Sequence, residues 1–227
     1  MKFYFVSTGR RAAVEIEVIK RLKPKRILGS YHYFKNIVLS EFFEEIGYEP
    51  EFILDSGAFS AWKSGKKIDQ DKYIAYIKAN EENIYRYIAL DKLGDTEKSY
   101  DAYIEMKNKG MSPIPVFHYM GDEEYLRKYI AQGETLIALG GTVPIKSKKT
   151  VAEWVKMLSW LYPEVRFHLL GSASRKILDH CDIESSDAST WMMKAIMGEP
   201  RHIPGNDKQS RFERATWNMK QMIELWG

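Results

Sequence analysis

Short apolar runs alternate along this chain with longer stretches whose apolar positions recur every three or four residues. The short runs are Phe3–Ser7, Arg26–Ser30, Phe52–Ser56, Tyr85–Leu90, Ile114–His118, Leu136–Gly140, Arg166–Leu170 and Ile183–Asp187. Each is mostly unbroken in its hydrophobicity, which is how strands buried on both faces read. The longer stretches predict helices over Ala12–Leu22, Asn36–Ile46, Gln70–Ala79, Glu97–Lys109, Glu123–Gln132, Lys149–Leu161 and Ser174–His180. Two more are predicted near Trp191–Met197 and Asp207–Trp226, the latter a C-terminal helix. Gly47, Gly110 and Gly133 fall where helices should stop, and Asp122 stands where it can cap Glu123–Gln132. Pro24, Pro50 and Pro163 lie between helix and strand, where no ladder donor is needed.

About eight β-then-α units predict an α/β fold: a TIM-type (β/α)8 barrel over residues 1–227 as one compact domain. A doubly wound open sheet has the same alternation and is the alternative, although the dinucleotide-binding fingerprint G-x-G-x-x-G is absent. The length of 227 residues suits one sizeable core and is lean for two. No repeat, linker or low-complexity segment breaks the chain.

Composition changes this picture little. A formal charge of +3 is compatible with a phosphate-bearing partner and equally with plain solubility. The one cysteine, Cys181, excludes an internal disulfide and a cysteine-rich zinc site. The five histidines show no ligand spacing, and no phosphate loop occurs, so neither metal nor cofactor is expected. No apolar stretch approaches the length of a membrane span, so a soluble, cytoplasmic protein is expected.

In a barrel, chemistry gathers at the C-terminal ends of the strands. The residues placed there are Asp55, Asp91, His118, the pair Gly140–Gly141, and Asp187. One strand-end aspartate is as often a helix cap as a reactive group. Three around one mouth would repel one another, so a purely structural origin fits the set poorly. His118 reads equally as a hydrogen-bonded strand end. Gly140–Gly141 reads as a tight turn, or as backbone N–H groups free to approach a flat ligand.

The ordered set resembles a known family. Leu54-Asp55-Ser56-Gly57-Ala58-Phe59-Ser60 is similar to the D-S-G-G-F-Q motif of the tRNA-guanine transglycosylases. Ala89-Leu90-Asp91, Leu139-Gly140-Gly141 and Ser186-Asp187 follow in that family's order. Ala58 and Ser60 depart from the motif, His118 stands where the tRNA enzymes carry glutamine, and the zinc subdomain is missing. Those departures are more like the phage-type DNA-guanine transglycosylases.

The resemblance implies a pentosyltransferase that exchanges guanine in nucleic acid, DNA rather than tRNA, for a free 7-deazaguanine base. Asp187 would be the nucleophile and Asp55 the acid/base. Asp91, His118, Gly140 and Gly141 would hold the base edge, with Phe59 and Tyr119 against its plane. Phosphates would meet Arg10, Arg11, Lys63, Lys66, Lys67, Lys146, Lys148 and Lys149, each of which reads equally as part of a solvated helix face. Location would be cytoplasmic, in the host for a viral protein, and oligomeric state is left open. A tRNA-guanine transglycosylase with the same chemistry, a nucleoside or glycoside hydrolase using the same carboxylates with water, and a barrel that only binds nucleic acid or a partner are the alternatives.

Overall fold

A computed structural model describes residues 1–9 and 13–227. It contains eight parallel strands: β1 (Lys2–Ser7), β2 (Arg26–Ser30), β3 (Glu51–Asp55), β4 (Arg86–Tyr87), β5 (Val116–His118), β6 (Leu136–Gly140), β7 (Arg166–Leu169) and β8 (Ser185–Ala188). Their spatial order is β4-β3-β2-β1-β8-β7-β6-β5. The two end strands meet through a single parallel bridge between Ile88 and Ile114. The Ala89 N–H donates to the Ile114 carbonyl, and the Ile114 N–H to the Tyr87 carbonyl, each at 2.8 Å. The sheet therefore closes on itself, and the fold is the (β/α)8 barrel rather than the open sheet.

That closing seam is thin, a single bridge whose two hydrogen bonds both fall on Ile114. Ile114 stands between Pro113 and Pro115, which face the other neighbour: the Pro115 carbonyl accepts from the Ala138 N–H of β6. Regular pairing in β4 covers two residues, both against β3, where the sequence predicted a strand over Tyr85–Leu90.

Helices on the outer face are α1 (Ala13–Leu22), α2 (Tyr31–Phe34), α3 (Leu39–Ile46), α4 (Ala58–Lys63), α5 (Gln70–Ala79) and α6 (Thr96–Asn108). They continue with α7 (Glu123–Ala131), α8 (Lys148–Leu161), α9 (Arg175–Leu178), α10 (Thr190–Ile196) and α11 (Lys208–Trp226). The stretch predicted as one helix over Asn36–Ile46 begins instead at Leu39, because the extended Val38 precedes it. The short helices α2 and α4 were not predicted. Asp122 caps α7 by accepting from the Glu124 N–H at 2.9 Å, and Gly47 closes α3 in the left-handed region.

The two-residue alternation of each strand sorts its side chains into two cores. Tyr4, Leu28, Ile53, Ile88, Ile114, Val116, Leu136 and Ala138 point inward and fill the barrel. Their neighbours Phe3, Phe5, Ile27, Phe52, Leu54, Phe117, Ile137, Leu139, Phe167 and Leu169 point outward into the helix layer. Trp226, at the end of α11, stacks on Phe3 with ring centres 5.0 Å apart and so ties the last helix to the first strand. Among the described residues no helix is long and apolar enough to cross a membrane.

Candidate active site at the barrel mouth

The inward alternation continues to the C-terminal ends of the strands, and there it changes from apolar to polar. Asp55 is the last residue of β3, His118 the last of β5 and Asp187 the third of β8. Asp91 follows the buried pair Ala89–Leu90 beyond the seam. The three carboxyl groups face one another. Burial raises the Asp55 carboxyl most, and the charges of Asp91 and then Asp187 raise it further, to about 7. The Gly57 N–H donates to Asp55 Oδ2 at 2.9 Å and works in the opposite sense.

Each of the other two carboxylates is held by a histidine. His118 Nε2 lies 2.9 Å from Asp91 Oδ2. His168 Nε2 lies 3.2 Å from Asp187 Oδ1, which also accepts from the Gly171 N–H at 3.1 Å. His168 Nδ1 in turn is 2.7 Å from the Ser185 hydroxyl. With Nε2 donating to Asp187, the neutral ring accepts from Ser185 at Nδ1, so the chain Ser185–His168–Asp187 needs no charge on the imidazole. His168 and Asp187 are 0% and 5% exposed, which fixes both side chains.

Gly57 has φ of +78°, and a Cβ there would lie 2.8 Å from the His32 backbone nitrogen. Only glycine fits this turn, which aims Asp55 into the mouth and starts α4. Gly140 has a different reason. A Cβ on it would lie 2.8 Å from Cδ2 of His118 and 3.1 Å from Cγ1 of Val116, so the bare backbone makes room for the imidazole that grips Asp91. The Gly140 carbonyl meanwhile accepts from the Tyr119 N–H at 2.9 Å. Gly141 is exposed, with φ of +73°.

Other predicted positions lie around the rim or outside it. Phe59 is 41% exposed on α4, beside Trp62 and with the Lys63 ammonium 5.3 Å from its ring centre. Tyr119 packs its ring edge against Trp154. Lys63, Lys66, Lys67 and Lys146 are exposed. Lys148 donates to the Ile145 carbonyl, and Lys149 pairs with Glu153 along α8. Arg10 and Arg11 lie outside the described residues.

Sequence reasoning missed His168, Ser185 and Glu15. Counting by two from Asp187 puts Ser185 on the inner face of β8, and counting by two from Leu170 puts His168 on the inner face of β7, so that signal was readable. Glu15 was not. It is 2% exposed on α1, where it accepts from the Ser7 hydroxyl at 2.6 Å and from the N–H and hydroxyl of Thr8 at 2.7 and 2.8 Å. Burial raises its carboxyl above the usual range. Among the described residues no group of three or more His, Cys, Asp or Glu is placed to hold a metal ion.

No family model and no curated protein matches the chain. Solved structures match it at low identity. The YdjI aldolase from Escherichia coli K12 is 12% identical, with a TM-score of 0.59 over 100% of this chain and 91% of that one. The carboxyl transferase domain from Rhizobium etli pyruvate carboxylase is 12% identical, with a TM-score of 0.57 over 97% of this chain and 47% of that one. Orotidine 5'-monophosphate decarboxylase from Methanocaldococcus jannaschii is 13% identical, with a TM-score of 0.52 over 98% of both chains. At such identities the likeness establishes the barrel fold and no more.

The guanine transglycosylase expected from the motif order is thereby corrected. These structural relatives are aldolases, decarboxylases and carboxyl transferases, and exchange of guanine for 7-deazaguanine has no support from them. The physical reason lies in the fold: any (β/α)8 barrel delivers strand-end polar residues to its mouth in chain order. Short pieces such as Asp55-Ser56-Gly57 and Gly140-Gly141 therefore mark strand ends and tight turns before they mark a reaction.

Proposed function

We propose that the barrel mouth is a general acid–base centre, and the chain an enzyme acting on a small polar substrate whose reacting part is uncharged or cationic. One arrangement carries this reading: Asp55, its carboxyl pushed up to about 7 by burial, faces two further carboxylates, each held by its own histidine. A carboxyl group poised near neutrality can both give and take a proton, whereas an exposed one can only take it. Asp55 is the proton donor. Asp187, fixed by His168 and the Gly171 N–H, is the carboxylate that receives a proton or balances developing positive charge. Asp91, steadied by His118, accepts hydrogen bonds from substrate donors. Three acidic groups in one small cleft repel an anionic reacting group, which selects for N–H and O–H donors. The enzymes that share the fold support enzyme status and leave the reaction to be read from these residues.

The test is a thermal-shift screen of donor-rich neutral and cationic compounds against phosphorylated sugars and carboxylic acids. Neutral or cationic compounds should stabilise the protein, and Asp91→Asn should remove the effect. Solvent deuterium should then exchange into a bound compound, and Asp55→Asn should stop it. Stabilisation by the anions that Asp91→Asn abolishes would put them in the mouth and sink the reading.

A second reading follows from the ledge on α4, where exposed Phe59 and Trp62 sit beside Lys63. Aromatic faces interleaved with cations are how single-stranded nucleic acid is held. In that reading the reacting group is part of a polynucleotide, bound with strong salt dependence. Filter binding with Trp62→Ala and Lys63→Gln decides it, since wild-type affinity in both would leave the ledge without this role.

A further inference from the structure

At the opposite end of the barrel lies a second polar cluster. Four cationic side chains surround the floor: Lys2 on β1, Arg26 on β2, Arg86 on β4 and Arg166 on β7. Two carboxylates answer them, Glu51 on β3 and Glu184 just before β8. The cluster thus carries two more positive than negative formal charges.

Its pairings are loose. Lys2 Nζ lies 3.8 Å from Glu51 and 3.6 Å from Glu184, and Arg26 Nε lies 3.8 Å from Glu51, all beyond hydrogen-bonding reach. The contact between Arg166 Nη1 and Glu184 Oε2, at 3.4 Å, falls just within it. Glu51 already accepts from the Tyr4 hydroxyl. Arg26 Nε is buried with no hydrogen-bond acceptor, and buried N–H groups are rarely left so. Among the described residues Arg86 has no carboxylate within ion-pair distance, and its guanidinium sits 5.3 Å from the centre of the Tyr85 ring. Lys2 faces that same ring at 5.5 Å. Between these groups a water-sized void reaches inward to Ser185 and His168.

We propose that this floor binds a small oxyanion, a group of phosphate or carboxylate type, between Lys2, Arg86 and Arg166. One oxygen enters the void and the others meet the guanidinium groups. The anion neutralises the charge excess and supplies acceptors that Glu51 and Glu184 leave wanting. Arginine forks suit planar or tetrahedral oxyanions, and partial burial limits screening by solvent. The site lies at the other end of the barrel from the three carboxylates, meets their network at Ser185 and His168, and its charge is the reverse.

Inorganic phosphate is the probe. Thermal unfolding is followed as phosphate replaces chloride at constant ionic strength, in the wild type, in Arg86→Gln and in Asp91→Asn. The wild type and Asp91→Asn should show a saturating rise with a millimolar midpoint. Arg86→Gln should weaken binding about tenfold or more, the loss expected for one charge-assisted contact pair. A rise no larger than in chloride, or one unchanged in Arg86→Gln, would overturn the proposal. Should Arg86→Gln fail to fold, the side-chain Nε–H resonances of Arg86 and Arg166 in the wild type decide the matter. They should move on adding phosphate, and fixed resonances at saturating phosphate would also overturn it.

Discussion

Asp55 sets the electrostatics of the mouth, and its consequence for stability has a definite sign. An unfolded aspartate ionises near 3.8, and the folded one near 7. Between those values the folded state binds more protons than the unfolded state, so stability falls as pH rises through the window. Asp55→Asn cannot ionise, yet its amide oxygen still accepts from the Gly57 N–H. Urea unfolding at intervals from about pH 4 to pH 8 should show the variant gaining on the wild type by on the order of 2–4 kcal/mol. A constant difference would mean that Asp55 ionises like an exposed carboxylate. His168 makes the complementary case. Replacing it with alanine leaves a cavity, strips Asp187 of one partner and orphans the Ser185 hydroxyl, at a cost of about 2–4 kcal/mol. A loss below about 1 kcal/mol in the same assay would show that the chain Ser185–His168–Asp187 holds nothing in place.

Most elements were legible in the sequence because their causes are local. The strands showed as unbroken apolar runs, α3 ended at its predicted Gly47, and α7 began at its predicted Asp122. What was not legible depends on neighbours distant in sequence. The length of β4 is set by its ladder with β3, which covers Arg86 and Tyr87 alone. The bare backbone at Gly140 is explained only by the imidazole one strand away. Gly140→Ala should accordingly disturb β5 more than β6, costing about 1–3 kcal/mol and freeing the His118 ring. The His118 imidazole resonances report this directly, and an unmoved ring would contradict the steric account. The strand-end residues Asp55, Asp91, His118 and Asp187 could be named from the sequence, since strand ends are where a barrel puts its chemistry. His168, the partner of Asp187, was readable only by counting along β7, and Glu15, which accepts from Ser7 and Thr8, looked like an ordinary member of an apolar segment.

Across the whole molecule the polar residues fall into two oppositely charged ends, carboxylates at the mouth and cations at the floor, separated by the apolar interior around Ile53, Ile88 and Val116. The parallel strands make this separation possible, since every chain segment enters at the floor and leaves at the mouth. The thinnest place in the wall is the contact between Ile88 and Ile114. Where a single bridge leaves so few rungs, the wall can gape while the two arcs on either side, β1 to β4 and β5 to β8, keep their own pairings. Under hydrogen–deuterium exchange the Ala89 and Ile114 amides should therefore lose protection well before those of Ile27 and Leu28, on the fully paired β2. Asp91 and His118 belong to opposite lips of that crack, so their bond serves as a clasp across it. A ligand that grips both would shut the barrel, and a small molecule wedged into the seam would disarm the mouth from the side without ever entering it.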